Sequence, residues 1–311
     1  TLYAMTGPNT NPLKRRVVPY KWCHAKTTGK NESIFFPTQH SIELAAHRYR
    51  GTDGSHHCED AELLKEFMAE RLHELRRPPQ SEIKAIDWAL HLIEDILTRG
   101  KICHCSVGDG LNRIIATRRR GVKVWFELTP HHILLNDSML NDSNRGLLQM
   151  NPPLRSPKDQ AYCLEILRFE DGAILASDHA PHNWAGEKVL TVEEIAAGKT
   201  VASGLTHLDT YVPVTTELMQ VHGFTPERIV QITSTTPGIW LRPFLGREFG
   251  LGYGRIAPGY VGSLTLIDRG TSFTVTKDKL KTKCGWSSFE GKTFPGSVEH
   301  TIVRGKVLKY F

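Results

Sequence analysis

The chain has 311 residues, 40% of them hydrophobic and 23% charged, with a net charge of +6. That length holds one large domain and a small one, and no apolar run approaches the 18 or so residues of a membrane span. The basic excess suits a small anionic substrate but is too diffuse to demand nucleic acid, since its one dense run, Arg118-Arg119-Arg120, reads as a solvated helix end.

The six cysteines, at 23, 58, 103, 105, 163 and 284, form no CxxC pair. That favours a reducing, cytoplasmic setting over a disulfide framework. No membrane or nucleic-acid partner is expected, and a homo-oligomer is compatible with the composition.

Thr1 to Met5 reads as a strand already under way, which suggests that something is absent in front of it. Thr6-Gly-Pro-Asn9-Thr-Asn-Pro12 is a loop at its end. Asn9 there either reaches a ligand or caps a turn, and alone the turn is favoured. Val17 to Cys23 is a second strand carrying Lys21 between Tyr20 and Trp22. A lysine inside an apolar strand is costly unless paired or modified, the bland reading being an amine that snorkels to the rim. His56-His57-Cys58-Glu59-Asp60 precedes a helix expected over Ala61 to Arg76. Arg77-Pro78-Pro79 breaks it, and Ser81 is expected to cap a helix running to Thr98, with Ile83, Ile86, Leu90, Ile93 and Leu97 on one face.

A short strand follows, Lys101 to Cys105, with His104 near its end. A helix from Asp109 to Arg120, a stop at Gly121 and a strand from Val122 to Leu128 come next. His131 and His132 open the next loop and tempt as ligands, but read as structural or as supports behind the ligands. This rhythm marks a parallel α/β sheet or barrel. Asn151-Pro-Pro-Leu-Arg155 is another loop, and a helix from Lys158 to Arg168 leads to a buried strand, Gly172 to Ala176. That strand runs into Ser177-Asp178-His179-Ala-Pro-His182, ionisable groups where a barrel's catalytic face would lie. The segment to Ser203 reads as a long loop, followed by helices over Thr210 to Val221 and Pro226 to Thr233. From about Phe249 paired glycines and alternating apolar residues signal β-hairpins. The expected organisation is a barrel over 1–248 and a small β domain over 249–311.

These motifs together resemble dihydroorotase, in the cyclic amidohydrolase branch of the amidohydrolase superfamily. The set runs in order over nearly the whole chain: Pro-Asn9-Thr-Asn-Pro, Lys21 before Thr27-Thr28-Gly29, His57-Cys-Glu-Asp60, Arg77-Pro-Pro, Ile-Cys-His104, Thr-Pro-His-His, Asn151-Pro-Pro-Leu-Arg155, Ser-Asp178-His-Ala-Pro-His182 and Trp286-Ser-Ser-Phe-Glu-Gly291. The resemblance implies a TIM-type barrel with two zinc ions at its strand ends. Lys21 resembles the lysine carboxylated by CO2 to bridge both metals, and His57 and His104 the two histidines of one metal. Asp178 resembles the aspartate that binds the other metal and shuttles the proton. Asn9, Asn151, His182 and Gly204 resemble substrate contacts. The implied reaction hydrolyses a cyclic amide or closes carbamoyl aspartate to dihydroorotate, in pyrimidine biosynthesis.

One departure is serious. The family's first strand carries a His-x-His pair, usually with an arginine after it, and only eight residues precede Asn9 here. Lys21 also follows Asn9 by 12 positions, where a βαβ unit needs about 30. The chain therefore reads as an incomplete barrel that binds at most one zinc tightly. A hydantoinase or allantoinase would use the same metals on another ring. A non-catalytic homologue acting as an assembly partner is the alternative from a different class, and retention of four costly polar groups weighs against it.

Overall fold

The computed structural model describes residues 3–13, 18–26 and 32–308; the Thr27-Thr28-Gly29 motif and Val17 lie outside them. The chain forms two compact units. One comprises Thr1–Met139 with Asn151–Ala176, the other Leu140–Met150 with Ser177–Phe311.

The first unit is built on six parallel strands: β1 (Ala4–Met5), β2 (Tyr20–Cys23), β3 (Asp53–His57), β4 (Arg99–Ile102), β5 (Val124–Leu128) and β6 (Ala173–Leu175). They pair strictly in chain order. Sequential parallel order has no switch point, so this is the singly wound topology of a barrel and not a doubly wound sheet. The crossovers carry α1 (Gln39–Arg48), α2 (Ala61–Glu66), α3 (Pro79–Asp95), α4 (Gly108–Arg119), α5 (Pro130–Leu134) and α6 (Pro157–Phe169). Between β1 and β2 the described residues contain no helix, as the short spacing implied. The core lies between helices and sheet: Ile86 and Leu92 of α3, Leu111 and Ile114 of α4, and Ile102 and Phe126 of the sheet are wholly buried. Each such side chain contributes roughly 1.5–3 kcal/mol by leaving water.

Several expected elements change. The helix expected to reach Arg76 stops at Glu66, and turns follow. Its later apolar residues find little partner surface: Phe67 and Leu75 are exposed, while Leu63 and Leu64 within the helix are half-buried. The cap of α3 is Pro78, with Pro79 in the first turn; Ser81 instead donates its hydroxyl back to the Pro78 carbonyl at 2.9 Å. Proline's fixed φ and missing N–H suit it to that first turn, where the N–H would have no partner. Of the arginine run, Arg119 and Arg120 are exposed and paired with Glu170 and Glu94. Arg118 instead turns inward to the Val124 carbonyl and packs over Trp125.

In the second unit the expected long loop contains a short helix, α7 (Val192–Ala196), closed by a capping box between Thr191 and Glu194. α8 (Tyr211–Gln220), α9 (Pro226–Val230) and α10 (Thr236–Leu241) follow, with a π-turn over Gln231–Thr235 joining the last two. The C-terminal strands are antiparallel: β7 (Leu264–Asp268), β10 (Ser297–Val303) and β11 (Lys306–Leu308) form one sheet, and β8 (Phe273–Thr274) pairs with β9 (Thr293–Phe294). Arg304 and Gly305, at φ 50° and 79°, make the two-residue turn between β10 and β11. That is the mirror-image turn that matches strand twist.

Candidate metal centre

Parallel register sets the first half of the candidate centre. Lys21 lies beside Ser55, and Cys23 beside His57, while the Cys103 amide pairs with the His56 carbonyl. Side chains alternate along a strand, so Lys21, Ser55 and His57 share one face. Lys21 Nζ donates to Cys103 Sγ at 2.9 Å, and Ser55 Oγ lies 3.2 Å from the same sulfur. The backbone at His104 then turns left-handed, φ 35°. Its Nε2 faces His57 Nδ1 at 2.8 Å. Both rings are buried, and burial pushes both imidazoles toward the neutral form, His104 furthest. Neutral imidazole is the metal-binding form.

His57 and His56 are neighbours with opposite fates. His57 faces His104, whereas His56 stacks on Trp22 with ring centroids 5.8 Å apart, and its Nδ1 meets His24 Nε2 at 3.1 Å. His131 and His132 are buried, as a structural reading requires. His132 is satisfied at both nitrogens, by Thr129 Oγ1 at 2.9 Å and the Pro152 carbonyl at 3.2 Å.

Lys21 is half-buried. Burial opposes its ammonium form, while the Cys103 and Cys23 sulfurs and Glu127 favour it, and the balance holds it above the ordinary lysine value. Among the described residues no group of three or more His, Cys, Asp or Glu is arranged to hold a metal ion. His57 and His104 bring two imidazole nitrogens together, with His104 Nδ1 buried and without a hydrogen-bond partner. Lys21 would join such a set only with oxygen atoms added to its amine.

Asn9 sits exposed in a turn and lines a cavity of about 790 Å³. Phe35, Phe36 and Leu64 make its apolar wall, and His73, Arg76 and Arg77 its polar edge. His73 Nε2 lies 2.9 Å from Asn151 Oδ1, so Asn151 is tied to this edge. His73 and Glu59 carry no role in the sequence reading. Glu59 had a signal, an acid two residues after His57; His73 had none.

Asp178, His182 and Gly204 belong to the second unit. Asp178 is left-handed at φ 45°. Three non-glycine residues among those described take positive φ, and two of them, His104 and Asp178, are expected ligands. Strain of this kind gathers at functional sites. His182 Nε2 lies 3.0 Å from the Ser203 carbonyl, and the His182 carbonyl accepts from Trp286 Nε1 at 2.7 Å. Gly204, at φ 140°, has a packing reason to be glycine: a Cβ there would stand 2.4 Å from the Ala180 Cβ.

No family model matches the chain. Proteins named dihydroorotase do. That of Pyrococcus furiosus is 31% identical over 252 residues, covering 81% of this chain and 53% of the relative. That of Thermococcus kodakarensis is 33% identical over 253 residues, at 81% and 54% coverage. The Brevibacillus brevis protein is 32% identical over 265 residues, at 81% and 58%. The chain is a dihydroorotase relative. It spans about half the length of these curated relatives. The fold is that of hydantoinases: a D-hydantoinase crystal structure superposes with a TM-score of 0.78 over 95% of this chain and 64% of the other, at 19% identity. Dihydropyrimidinase from Brevibacillus agri gives 0.78 at 20% identity, with the same coverage. The dihydroorotase relative is therefore an α/β chain of the TIM-barrel type with a small antiparallel region near its C-terminal end. None of its helices is long and apolar enough, among the described residues, to cross a membrane.

Proposed function

We propose that this chain is the metal-binding and substrate-binding part of a dihydroorotase, a hydrolase that interconverts dihydroorotate and carbamoyl aspartate. One observation carries the reading: two buried imidazoles, one at the end of β3 and one just past β4, meet nitrogen to nitrogen at 2.8 Å, in a relative of the dihydroorotases. His57 and His104 would hold one zinc, Lys21 would complete it as a carbamate, and Asp178 would serve the second. A bound divalent metal supplies Lewis-acid polarisation of the amide carbonyl. The chain's residues supply position and proton transfer. Asp178 would accept a proton from the attacking water and return it to the leaving amide nitrogen. The apolar wall of the cavity would take the flat ring, while Asn9 and the cations at its edge would face the anionic carboxylate. Asn151, tethered by His73, His182 and Gly204 would make the remaining contacts.

The same reading divides the chain into a barrel over 1–248 and a small β domain over 249–311, supported by the antiparallel strands between Leu264 and Leu308. It places the enzyme in the cytoplasm, where buried free thiols survive. The test is hydrolysis of dihydroorotate, hydantoin and allantoin measured side by side on the zinc-loaded protein. Dihydroorotate should turn over fastest. Faster turnover of hydantoin or allantoin would move the substrate assignment, and no turnover of any ring by protein that binds zinc would overturn the enzyme reading.

A further inference from the structure

The His57 ring has a second face, and the proposed chemistry leaves it unused. Its Nε2 lies 2.8 Å from Glu59 Oε2. Glu59 is fully buried, and the same oxygen takes the Arg77 guanidinium in an ion pair. Arg77 is held in turn: its Nη2 donates to the Lys26 carbonyl at 2.9 Å, and its own carbonyl accepts from Arg155 Nη1 at 2.6 Å. Arg155 then reaches Glu82 Oε2 at 3.1 Å and Ser106 Oγ at 3.0 Å, and Glu82 Oε1 accepts from the Ser106 amide at 2.7 Å. Ser106 is two residues past His104. One chain of charged groups, Glu59, Arg77, Arg155 and Glu82, therefore runs from the back of His57 to Ser106 at the strand exit that carries His104.

From this geometry we infer that Glu59 is a positioning residue: by accepting the Nε2 proton of His57 it fixes the tautomer that leaves the Nδ1 lone pair facing His104 Nε2, and so selects the atom that would bind metal. A neutral imidazole carries one proton. A carboxylate accepts and never donates when ionised, so the proton shared with Glu59 must sit on Nε2. The Arg77 guanidinium, ion-paired to the same buried oxygen, holds Glu59 as the carboxylate. Removing the carboxylate frees the ring to protonate Nδ1 and donate to His104, which closes the metal-facing pair against a cation. Carboxylates behind metal-bound histidines are worth roughly ten- to hundredfold in metal affinity.

This inference rests on the proposed metal centre, and two measurements separate them. In metal-free wild-type protein with 15N-labelled histidine, long-range proton–nitrogen couplings should show His57 protonated at Nε2 and bare at Nδ1. A proton on Nδ1 would overturn the inference whatever the protein binds. Zinc affinity by chelator competition should then fall roughly tenfold or more in Glu59→Gln, with the circular dichroism of wild type. An affinity within twofold of wild type in that folded variant would also overturn it. Wild-type protein that binds no zinc, yet shows the Nε2 tautomer, would instead sink the proposed function and leave the tautomer assignment standing.

Discussion

Adjacent histidines on β3 show what a residue's chemistry owes to strand parity. His56 and His57 are indistinguishable by type, yet one packs on Trp22 and the other faces His104. The motif singled out His57, and its facing His104 depends on a register that only pairing with β2 and β4 supplies. His132 carries a prediction of its own. Burial holds its imidazole down at about 3, and His24 is held at about 3 for the same leading reason. A base whose folded value lies below its unfolded 6.5 stabilises the fold fully above pH 6.5, and that contribution is lost as pH falls toward 3. Urea unfolding at pH 7.5 and 4.5 should therefore show lower stability at the acid value. His132→Gln should be weaker at pH 7.5 by about 1–3 kcal/mol and should lose less than wild type between the two.

The α3 element is where sequence patterning worked best and where capping misled. Its apolar spacing gave the buried face through Ile86, Leu90 and Ile93, because a periodic stripe needs only a core to meet. Ser81 failed as a cap because Pro78-Pro79 had already set the entry dihedrals. The same pattern over Ala61 to Arg76 runs out of partner surface at Phe67 and Leu75, both exposed, so periodicity alone could not carry the helix past Glu66. What fastens α3 to the site is polar: Glu82 grips Ser106 and Arg155. Glu82 and Arg155 are both buried, so breaking the pair strands a charge. Arg155→Met should destabilise the protein by about 3–5 kcal/mol, and Arg155→Met with Glu82→Gln should recover a large part of that. A double-mutant cycle by denaturant unfolding reads the coupling directly; additive losses would show the pair to be independent.

At the scale of the molecule, a parallel α/β sheet or barrel was legible from apolar strands and amphipathic helices, and five of its six strands with it; β3 was not, because Asp53-Gly-Ser-His-His57 has the polar, glycine-bearing composition of a turn and is held as a strand only by pairing with β2 and β4. The short β1–β2 connection was legible too, from a spacing too small for a βαβ unit. The convergence of Lys21, Ser55 and Cys103 was not, because contacts over 82 positions leave no periodic trace. That convergence bears on stability as well as chemistry. Lys21 rests on the Cys103 sulfur with its ammonium form favoured; carboxylation with metal binding would exchange that contact for a ligated carbamate, so ligands should act on the fold through position 21. A ligand that binds only the native state raises stability by about 2.7 kcal/mol at 100 times its Kd. Zinc with bicarbonate should therefore raise the Tm of the wild-type protein above that of zinc alone, and a chelator should reverse the gain. In Lys21→Met zinc could still reach His57 and His104, but the bicarbonate increment should vanish. Thermal scans in carbonate-free and bicarbonate buffers make the comparison, and an equal bicarbonate increment in the variant would detach Lys21 from the metal.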